Sequence, residues 1–260
     1  MKKLDIIKKN SASTTIGVLG TAHGAGVTHL SLMLAVFMAL VMGKSVALAD
    51  MSGTDCLRQA GIMLKNNFRR KSKIFKMISI YGQADASLLS ELMSENFEYI
   101  IVDFGADYQK NYGQFLMCKV KLIVGNLSLW KIHYYVEFMA MTSTVKGMDK
   151  WIYISPYPDP DSEKYFRKNF GKEILPVPCT PDPLHLGADS MDFLQELVSR
   201  FYKGRRNGVS FSLNGKIVEP GERLVDQLLT DKDCTYMRNY RFRNGKIVAI
   251  EFDKIRLNES

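Results

Sequence analysis

A segment of small residues between two apolar runs constrains the fold of this chain most. The run Thr14–Leu19 contains β-branched and apolar residues and ends at Gly20. A glycine-rich loop follows it, and Leu30–Met42 is then apolar except for one serine. This order predicts a strand, a loop and a buried helix that begins at about Thr28. A second predicted strand at Ser45–Ala49 completes a βαβ unit, which implies a parallel sheet.

Further apolar runs predict that the sheet continues. Four of them have the length of buried strands: Tyr99–Val102, Val120–Val124, Trp151–Ser155 and Ile174–Val177. Helical spacing of apolar residues is found between and after them, at Ala86–Met93, in the segment from Asn126 to Met141, and at Met191–Tyr202. Strands that are apolar on both faces are typical of parallel sheets covered by helices on both sides. The sequence therefore predicts an α/β fold with a doubly wound, mostly parallel sheet and a ligand crevice at the carboxyl ends of its strands.

The pattern changes after Lys203, where the polar segment GRRNG begins. Two Asn-Gly pairs, at 214–215 and 244–245, lie between alternating apolar residues, which is a strong signal for β-hairpins. A short helix is predicted at Glu222–Leu229. We therefore expect a large α/β domain at residues 1–204 and a small β-rich module, with hairpins and a short helix, at residues 205–260.

The charge balance leaves three classes of partner open. The net charge is +8 and the isoelectric point about 9.2, which favours nucleic acid, anionic lipid headgroups or an acidic protein. The basic residues between Arg69 and Lys73 could contact a membrane or nucleic acid, or could form a solvated basic face. No DNA-reading motif is recognisable in the sequence, so nucleic acid is the weakest of the three.

The cysteines and the apolar runs predict a cytoplasmic protein, with a membrane-associated one as the alternative. None of the four cysteines lies in a CxxC pair or at a metal-ligand spacing from a histidine, so reduced thiols are expected. The N-terminal residues MKKLDIIKKN lack the apolar region of a signal peptide. The apolar run at Leu30–Met42 is shorter than the about 20 residues that cross a bilayer.

The loop itself has a recognisable form. It reads Gly20-Thr-Ala-His-Gly-Ala-Gly-Val-Thr-His29 and resembles the deviant P-loop of the ParA/MinD ATPases, KGGxGK[ST]. In a P-loop, backbone N–H groups surround the phosphates, a lysine neutralises them and a hydroxyl binds magnesium. In register, Gly24 and Gly26 match glycines of the motif, and Thr28 matches the magnesium-binding hydroxyl. The first glycine of the motif falls on His23, and its two lysines fall on Ala22 and Val27.

The resemblance extends to the ends of the later strands and covers about residues 14–202. Asp50 matches the first acidic residue after the second strand, whereas the residue that orients the attacking water falls on Ser52. The run Ile100–Asp103 matches the strand whose final aspartate lies near magnesium, and Gly105 falls in the switch that follows. The resemblance therefore implies magnesium contacts at Thr28 and Asp103 and switch positions at Asp50, Ser52 and Gly105. The implied nucleotide- or anion-binding residues are Gly24, Ala25, Gly26, Val27, Thr28 and His29.

The missing lysines predict what the site has lost. A charge-assisted hydrogen bond contributes about 1.5–3 kcal/mol, and a charge aimed at a transition state contributes more in a dry site. Backbone amides can still bind phosphate without the lysines. We therefore expect either ATP or ADP with magnesium as the ligand, or no cofactor at all, and we expect hydrolysis to be lost.

Three functions compete on this basis. The first is a pseudo-ATPase that regulates, localises or scaffolds a larger machine through a homodimer and a protein partner, with peripheral membrane contact as an option. Degenerate proteins of this kind resemble the TadZ/CpaE proteins of pilus assembly and localisation. The second is an atypical active ATPase in which another cation, such as His29 or a lysine from elsewhere, replaces the missing charge. The third is a DNA-binding segregation or mobile-element protein, which the net charge alone suggests.

Overall fold

The computed structural model of the chain describes residues 13–54, 56–59, 77–156, 158, 160–202, 210–213, 216–218, 234–243 and 246–256. The chain divides into two compact units, Met1–Leu186 and Gly187–Ser260. The predicted domain boundary at 204/205, the basic cluster at 69–73 and the predicted helix at 222–229 lie outside the described residues. The predicted domain limits therefore stay a prediction.

The first unit is built on a seven-stranded sheet in which every pairing is parallel, with the strand order β3-β2-β4-β1-β5-β6-β7. The strands are β1 (Thr14–Gly20), β2 (Val46–Asp50), β3 (Ile78–Tyr81), β4 (Tyr99–Asp103), β5 (Val120–Val124), β6 (Ile152–Pro156) and β7 (Ile174–Val177). The predicted α/β class and parallel sheet are confirmed. Strand β1 lies between β4 and β5, so the glycine-rich loop leaves the sheet at the point where its strand order reverses. In doubly wound folds the ligand crevice lies at this point.

In the described part of the first unit, five helices and two shorter helical segments accompany this sheet. They are α1 (Val27–Leu40), α2 (Ala86–Ser94), α3 (Tyr112–Met117), α4 (Ile132–Thr142) and α5 (Pro160–Phe170), with a 3₁₀ turn at Met148–Lys150 and a short helical segment at 56–59. Every residue from Leu30 to Ala39 is buried, so α1 is the buried helix that its apolar run predicted. Within the described residues, no helix is both long and apolar enough to cross a membrane.

Sequence patterns did not indicate three of these elements: β3, α3 and α5. Strand β3 has four residues, all half-buried, and lies at the edge of the sheet next to β2, so its apolar pattern is short. Helix α5 begins at Pro160, in the segment PYPDPD at 156–161 that follows a predicted strand and is typical of a loop. Proline suits the first position of a helix because its missing N–H would have no partner there. Acidic residues in the first turn of α5 and basic ones in its last turn also favour the helix through its dipole.

The core beside β5 and β6 is aromatic and holds α4 against the sheet. Tyr135 of α4 is fully buried, and its hydroxyl donates to the backbone carbonyl of Ile154 at 2.7 Å. A Cβ on Gly125 would overlap the Tyr135 ring and lie 2.5 Å from Thr21 Oγ1. The turn after β5 can therefore approach both α4 and the loop after β1 only because residue 125 is glycine.

The second unit contains helix α6 (Ala188–Tyr202) and the strands β8 (Ser210–Leu213), β9 (Lys216–Val218), β10 (Cys234–Arg243) and β11 (Lys246–Arg256). These strands form a sheet in the order β10-β11-β8-β9. Strand β8 is antiparallel to β9, and β10 is antiparallel to β11, as the two Asn-Gly pairs predicted. The parallel pairing of β11 with β8 joins the two hairpins into one sheet.

Candidate functional site

The loop between β1 and α1 is fixed at its start by both neighbouring strands. The amide of Gly20 donates to the carbonyl of Gly105 after β4 at 2.7 Å, and the amide of Thr21 donates to Val124 of β5 at 2.9 Å. Gly24 and Gly26 then have φ angles of 73° and 97°, which residues with a Cβ rarely adopt. The backbone geometry of the loop thus depends on the two glycines that match the P-loop motif.

Several amides at the end of this loop have no acceptor among the described residues. The amide of Ala25 donates to the carbonyl of Ala22 at 3.3 Å. In the part of the chain that the structure describes, no acceptor is found for the amides of Gly24, Gly26, Val27, Thr28 and His29. The first turn of α1 contains no acidic residue. Unpaired amides at a helix N-terminus form a binding site for an anion such as a phosphate.

The loop offers little positive charge of its own. Val27, where the motif has a lysine, is 7% exposed, and its side chain packs against Gly20. His29 donates a ring N–H to the backbone carbonyl of Thr180, and burial lowers its pKa although this hydrogen bond and Asp182 act in the opposite direction. His29 is therefore mainly neutral at pH 7 and is a poor replacement for the lost lysine.

Thr28 and Asp103 form a pair beside the loop. The Thr28 hydroxyl donates to Asp103 Oδ2 at 2.6 Å, and the amide of Gly105 donates to Asp103 Oδ1 at 2.9 Å. Asp103 is fully buried. Burial, with a smaller contribution from the nearby Asp50, raises its pKa to about 6, although both hydrogen bonds act in the opposite direction.

Asp50 lies next to Asp103 because the two residues are partners in the parallel pairing of β2 with β4. Its Oδ1 accepts from the amide of Ser52 at 2.9 Å and from the Ser52 hydroxyl at 2.6 Å. Its Oδ2 is buried and has no hydrogen-bond partner in the described part of the chain. A buried carboxylate oxygen without a partner is costly, and here a second carboxylate lies beside it.

This set of groups fits magnesium. Carboxylate and hydroxyl oxygens are the ligands that Mg²⁺ prefers, and the ion usually keeps several waters or substrate phosphates in its coordination shell. Among the described residues, no group of three or more His, Cys, Asp or Glu side chains is arranged so that it could hold a metal ion by itself. Thr28 and Asp103, with Asp50 behind them, could therefore hold the ion only together with water and phosphate oxygens.

The structure brings most of the predicted site residues to one edge of the sheet. Thr28, Asp103, Asp50 and Ser52 are joined by the contacts above, and a Cβ on Gly105 would lie 2.8 Å from the Ser52 Cβ. The hydroxyl of Ser52 donates to Asp50 and accepts from the amide of Thr54 at 3.1 Å. Both hydrogen bonds of the Ser52 hydroxyl therefore stabilise the loop in which Ser52 lies.

Sequence patterns missed one feature of this region. A shallow, solvent-open concavity lies beside the loop, where residues after β5 approach it. Its lining residues are Thr21, Ala22, His23, Gly24, Ala25, Asn126, Lys131 and Tyr134. Only the position of Asn126, two residues after a predicted strand, could have indicated it, because strand ends meet at one edge of a parallel sheet.

The loop after β1, the aspartate at the end of β4 and the parallel sheet define an α/β protein of the P-loop NTPase type. Solved structures with a similar fold narrow this class. A putative plasmid partition protein from Borrelia burgdorferi, bound to AMPPNP, is 13% identical, with a TM-score of 0.54 over 74% of this chain and 99% of that chain. The MinD cell division protein of Aquifex aeolicus is 18% identical, with a TM-score of 0.53 over 72% of this chain and 97% of that chain.

A MinC:MinD cell division protein complex from the same organism gives the same TM-score of 0.53 at 18% identity, over 72% of this chain and 96% of that chain. The fold of this chain is therefore that of the ParA/MinD ATPases, as the loop predicted. No protein-family model and no curated protein matches the sequence.

Proposed function

We propose that this chain is a regulatory pseudo-ATPase that binds ATP or ADP with magnesium and does not hydrolyse ATP efficiently. One observation carries the proposal. The loop keeps its backbone geometry, its free amides and the Thr28–Asp103 pair, while Ala22 and Val27 stand where the motif has lysines. The fold shared with a partition protein bound to AMPPNP supports nucleotide as the ligand.

Binding would use groups that remain in place. The free amides of Gly24 and of residues 26–29, at the N-terminal end of α1, would hold the phosphates. Thr28 and Asp103 would hold magnesium, whose charge would offset that of the phosphates and of the two aspartates. The open side of Gly24 and Gly26, where a Cβ would meet nothing within 4 Å, leaves room for a ligand to approach the backbone.

Hydrolysis would fail for two reasons. Removing one charged or hydrogen-bonding group that stabilises a transition state typically costs about 10²–10³-fold in rate, and this loop lacks both lysines. The position that would orient the attacking water is Ser52, and its hydroxyl is hydrogen-bonded to Asp50 and Thr54. A serine in that role is also a much weaker base than a carboxylate.

A regulatory role would need a partner surface. Leu129 and Trp130 are 88% and 71% exposed and directly precede Lys131, which lines the concavity beside the loop. Large exposed apolar side chains often mark interaction sites. We propose that this surface recruits a protein partner, in a homodimer, for localisation or assembly of a larger machine such as a pilus or secretion system, and that membrane contact is peripheral.

Steady-state ATP turnover tests the proposal. Purified protein is assayed with magnesium ATP beside the matched variants Thr28→Ala and Asp103→Ala. The proposal expects the same background rate in all three proteins. Turnover by the unaltered protein that either substitution abolishes would contradict it.

The second candidate, an atypical active ATPase, is favoured by one observation: Lys131 lines the concavity beside the loop. A titration of the protein with ATP, with and without magnesium, separates binding from turnover. The absence of binding at millimolar ATP would end both candidates.

A further inference from the structure

We infer that Lys131 supplies the positive charge that the loop lacks, by contacting the phosphate groups of a ligand bound against residues 21–25. The inference rests on the proposed binding of nucleotide and adds the residue that would make it possible. The ligand chemistry is a polyphosphate chain, free or as part of a nucleotide.

The position of Lys131 is fixed by the turn that precedes α4. The amide of Lys131 donates to the carbonyl of Ser128 at 2.8 Å, and the amide of Ser128 donates to Asn126 Oδ1 at 2.8 Å. Tyr135, one helical turn later, is bonded to the backbone of β6 through Ile154. Lys131 is therefore attached to the rigid part of the sheet, on the side of the loop opposite to the Thr28–Asp103 pair.

The hydroxyl of Thr21 is buried beside the concavity and does not open into it. Thr21 Oγ1 is buried and has no hydrogen-bond partner within the described segments. Thr21 and Lys131 both line the concavity. A phosphate oxygen placed in the concavity would accept from the Lys131 ammonium, whereas the Thr21 hydroxyl lies against the turn at Gly125.

Lys131 is also the only lining residue, of those the structure describes, with a permanent positive charge. Its ammonium lies 4.4 Å from the centroid of the Trp130 ring, and no carboxylate of the described residues forms an ion pair with it. A cation–π contact at an exposed site is weaker than a charge-assisted hydrogen bond to phosphate. The ammonium can therefore move from the indole ring to a ligand by rotation of its flexible side chain.

A different lysine lies on the other side of the site. Lys110 Nζ is 3.2 Å from the position that a Cβ on Gly53 would occupy, which places it near Ser52 rather than in the concavity. Lys110→Ala therefore separates a general effect of nearby charge from the specific role of Lys131.

The test is a calorimetric titration with magnesium ATP, inorganic triphosphate and adenosine. Lys131→Ala should weaken the binding of ATP and of triphosphate by about 10-fold or more, the effect of one charge-assisted contact. Lys131→Arg should restore most of the affinity, and adenosine should not distinguish the variants. The matched control is Lys119→Ala, which removes an exposed charge directly before the amino end of β5 and should leave the affinity within about twofold.

A second readout follows the indole ring. Triphosphate should change the fluorescence of the unaltered protein as Lys131 leaves Trp130, and this change should be absent in Lys131→Gln, which keeps the length of the side chain but no charge. Trp151 is buried in the core and provides a constant background in both proteins.

The outcomes separate the two proposals. Equal affinity of the unaltered protein and of Lys131→Ala would overturn the role of Lys131 and leave the pseudo-ATPase proposal intact. An equal loss in Lys119→Ala or Lys110→Ala would overturn it as well, because net charge would then explain the effect. ATP turnover with the expected loss of affinity in Lys131→Ala would contradict the pseudo-ATPase proposal and support Lys131. No binding of ATP or triphosphate by the unaltered protein would contradict both.

Discussion

The glycine-rich loop at residues 20–29 and the neighbouring sheet edge formed by Asp50, Ser52 and Asp103 differ in what they retain. The loop has glycine-dependent backbone conformations and unpaired amides, and it contains no lysine or arginine. The sheet edge keeps two buried carboxylates, one of them bonded to Thr28. Fold and chemistry therefore depend on separate residues in this site. Glycines and buried strands determine its shape, whereas lysines at positions 22 and 27 would add charge without being needed for that shape.

Substitution of Gly125, where the turn after β5 approaches the loop, should have the largest effect on stability. In Gly125→Ala, the new methyl group would overlap Tyr135 and approach Thr21, and such overpacking costs about 1–3 kcal/mol or more. Urea denaturation should show this loss. Gly113→Ala in α3 is the control, because its methyl group would meet nothing within 4 Å. Equal stability of Gly125→Ala and the unaltered protein would contradict the close approach described above.

The sheet edge should give the protein an unusual pH dependence in metal-free buffer. The pKa of Asp103 is raised from 3.8 to about 6, so the folded state binds the proton more tightly than the unfolded state does. The contribution of Asp103 to stability is then present below pH 4 and is lost as pH rises to 6, by up to about 3 kcal/mol. Denaturation at several pH values should show that the free energy of unfolding declines over this range. The decline should be smaller in Asp103→Asn.

The exposed Asp149 provides the control for this experiment. Asp149→Asn should retain the pH profile of the unaltered protein. A larger rise in stability from pH 4 to 6 in the unaltered protein than in Asp103→Asn would reverse the sign and contradict the description of the carboxylate pair.

A lysine introduced into the loop should give the loop a charged side chain, as the sheet edge already has. Val27→Lys restores the lysine of the motif and should tighten ATP binding by about 10-fold or more. Its turnover should stay at background unless Ser52→Asp is added, because the water-orienting position is still serine. Calorimetry and a phosphate-release assay check these two steps. Full turnover with Val27→Lys alone would show that Ser52 is not a second block.

The smallest effect concerns the attachment of α4. Tyr135→Phe removes the hydroxyl that donates to Ile154 and should cost about 1 kcal/mol of unfolding free energy. Tyr165→Phe, at a half-exposed position, should change stability by less. If Lys131 acts through its fixed position, Tyr135→Phe should also weaken triphosphate binding slightly, and Tyr165→Phe should not.

The sequence was sufficient for the parts of the fold with strong local patterns. The buried strands, α1 and the two hairpins follow from apolar runs and Asn-Gly turns. Strand β3 was missed because a four-residue edge strand carries little pattern, and α5 because Pro160 suggests a loop when the following turn is not considered. The match of Thr28 and Asp103 to a known motif placed them near each other, and their hydrogen bond is a result of the structure.

The remaining features of the site depend on strand order. Asp50 lies beside Asp103 because β2 pairs with β4, and Lys131 lies beside the loop because β5 pairs with β1. More than 100 residues separate Lys131 from Thr21 in the sequence, and no local pattern relates them. The orphaned oxygen of Asp50 and the bonds of Ser52 are likewise properties of packed side chains.

The fate of a bound nucleotide tests most directly whether the protein binds ATP without hydrolysing it efficiently. Protein loaded with radiolabelled magnesium ATP is separated from free nucleotide, and the label that stays bound is analysed over several hours. If the chain is a pseudo-ATPase, we expect the protein to retain the ATP, which is recovered intact. Conversion of the bound ATP to ADP and phosphate, at a rate that Thr28→Ala abolishes, would contradict it.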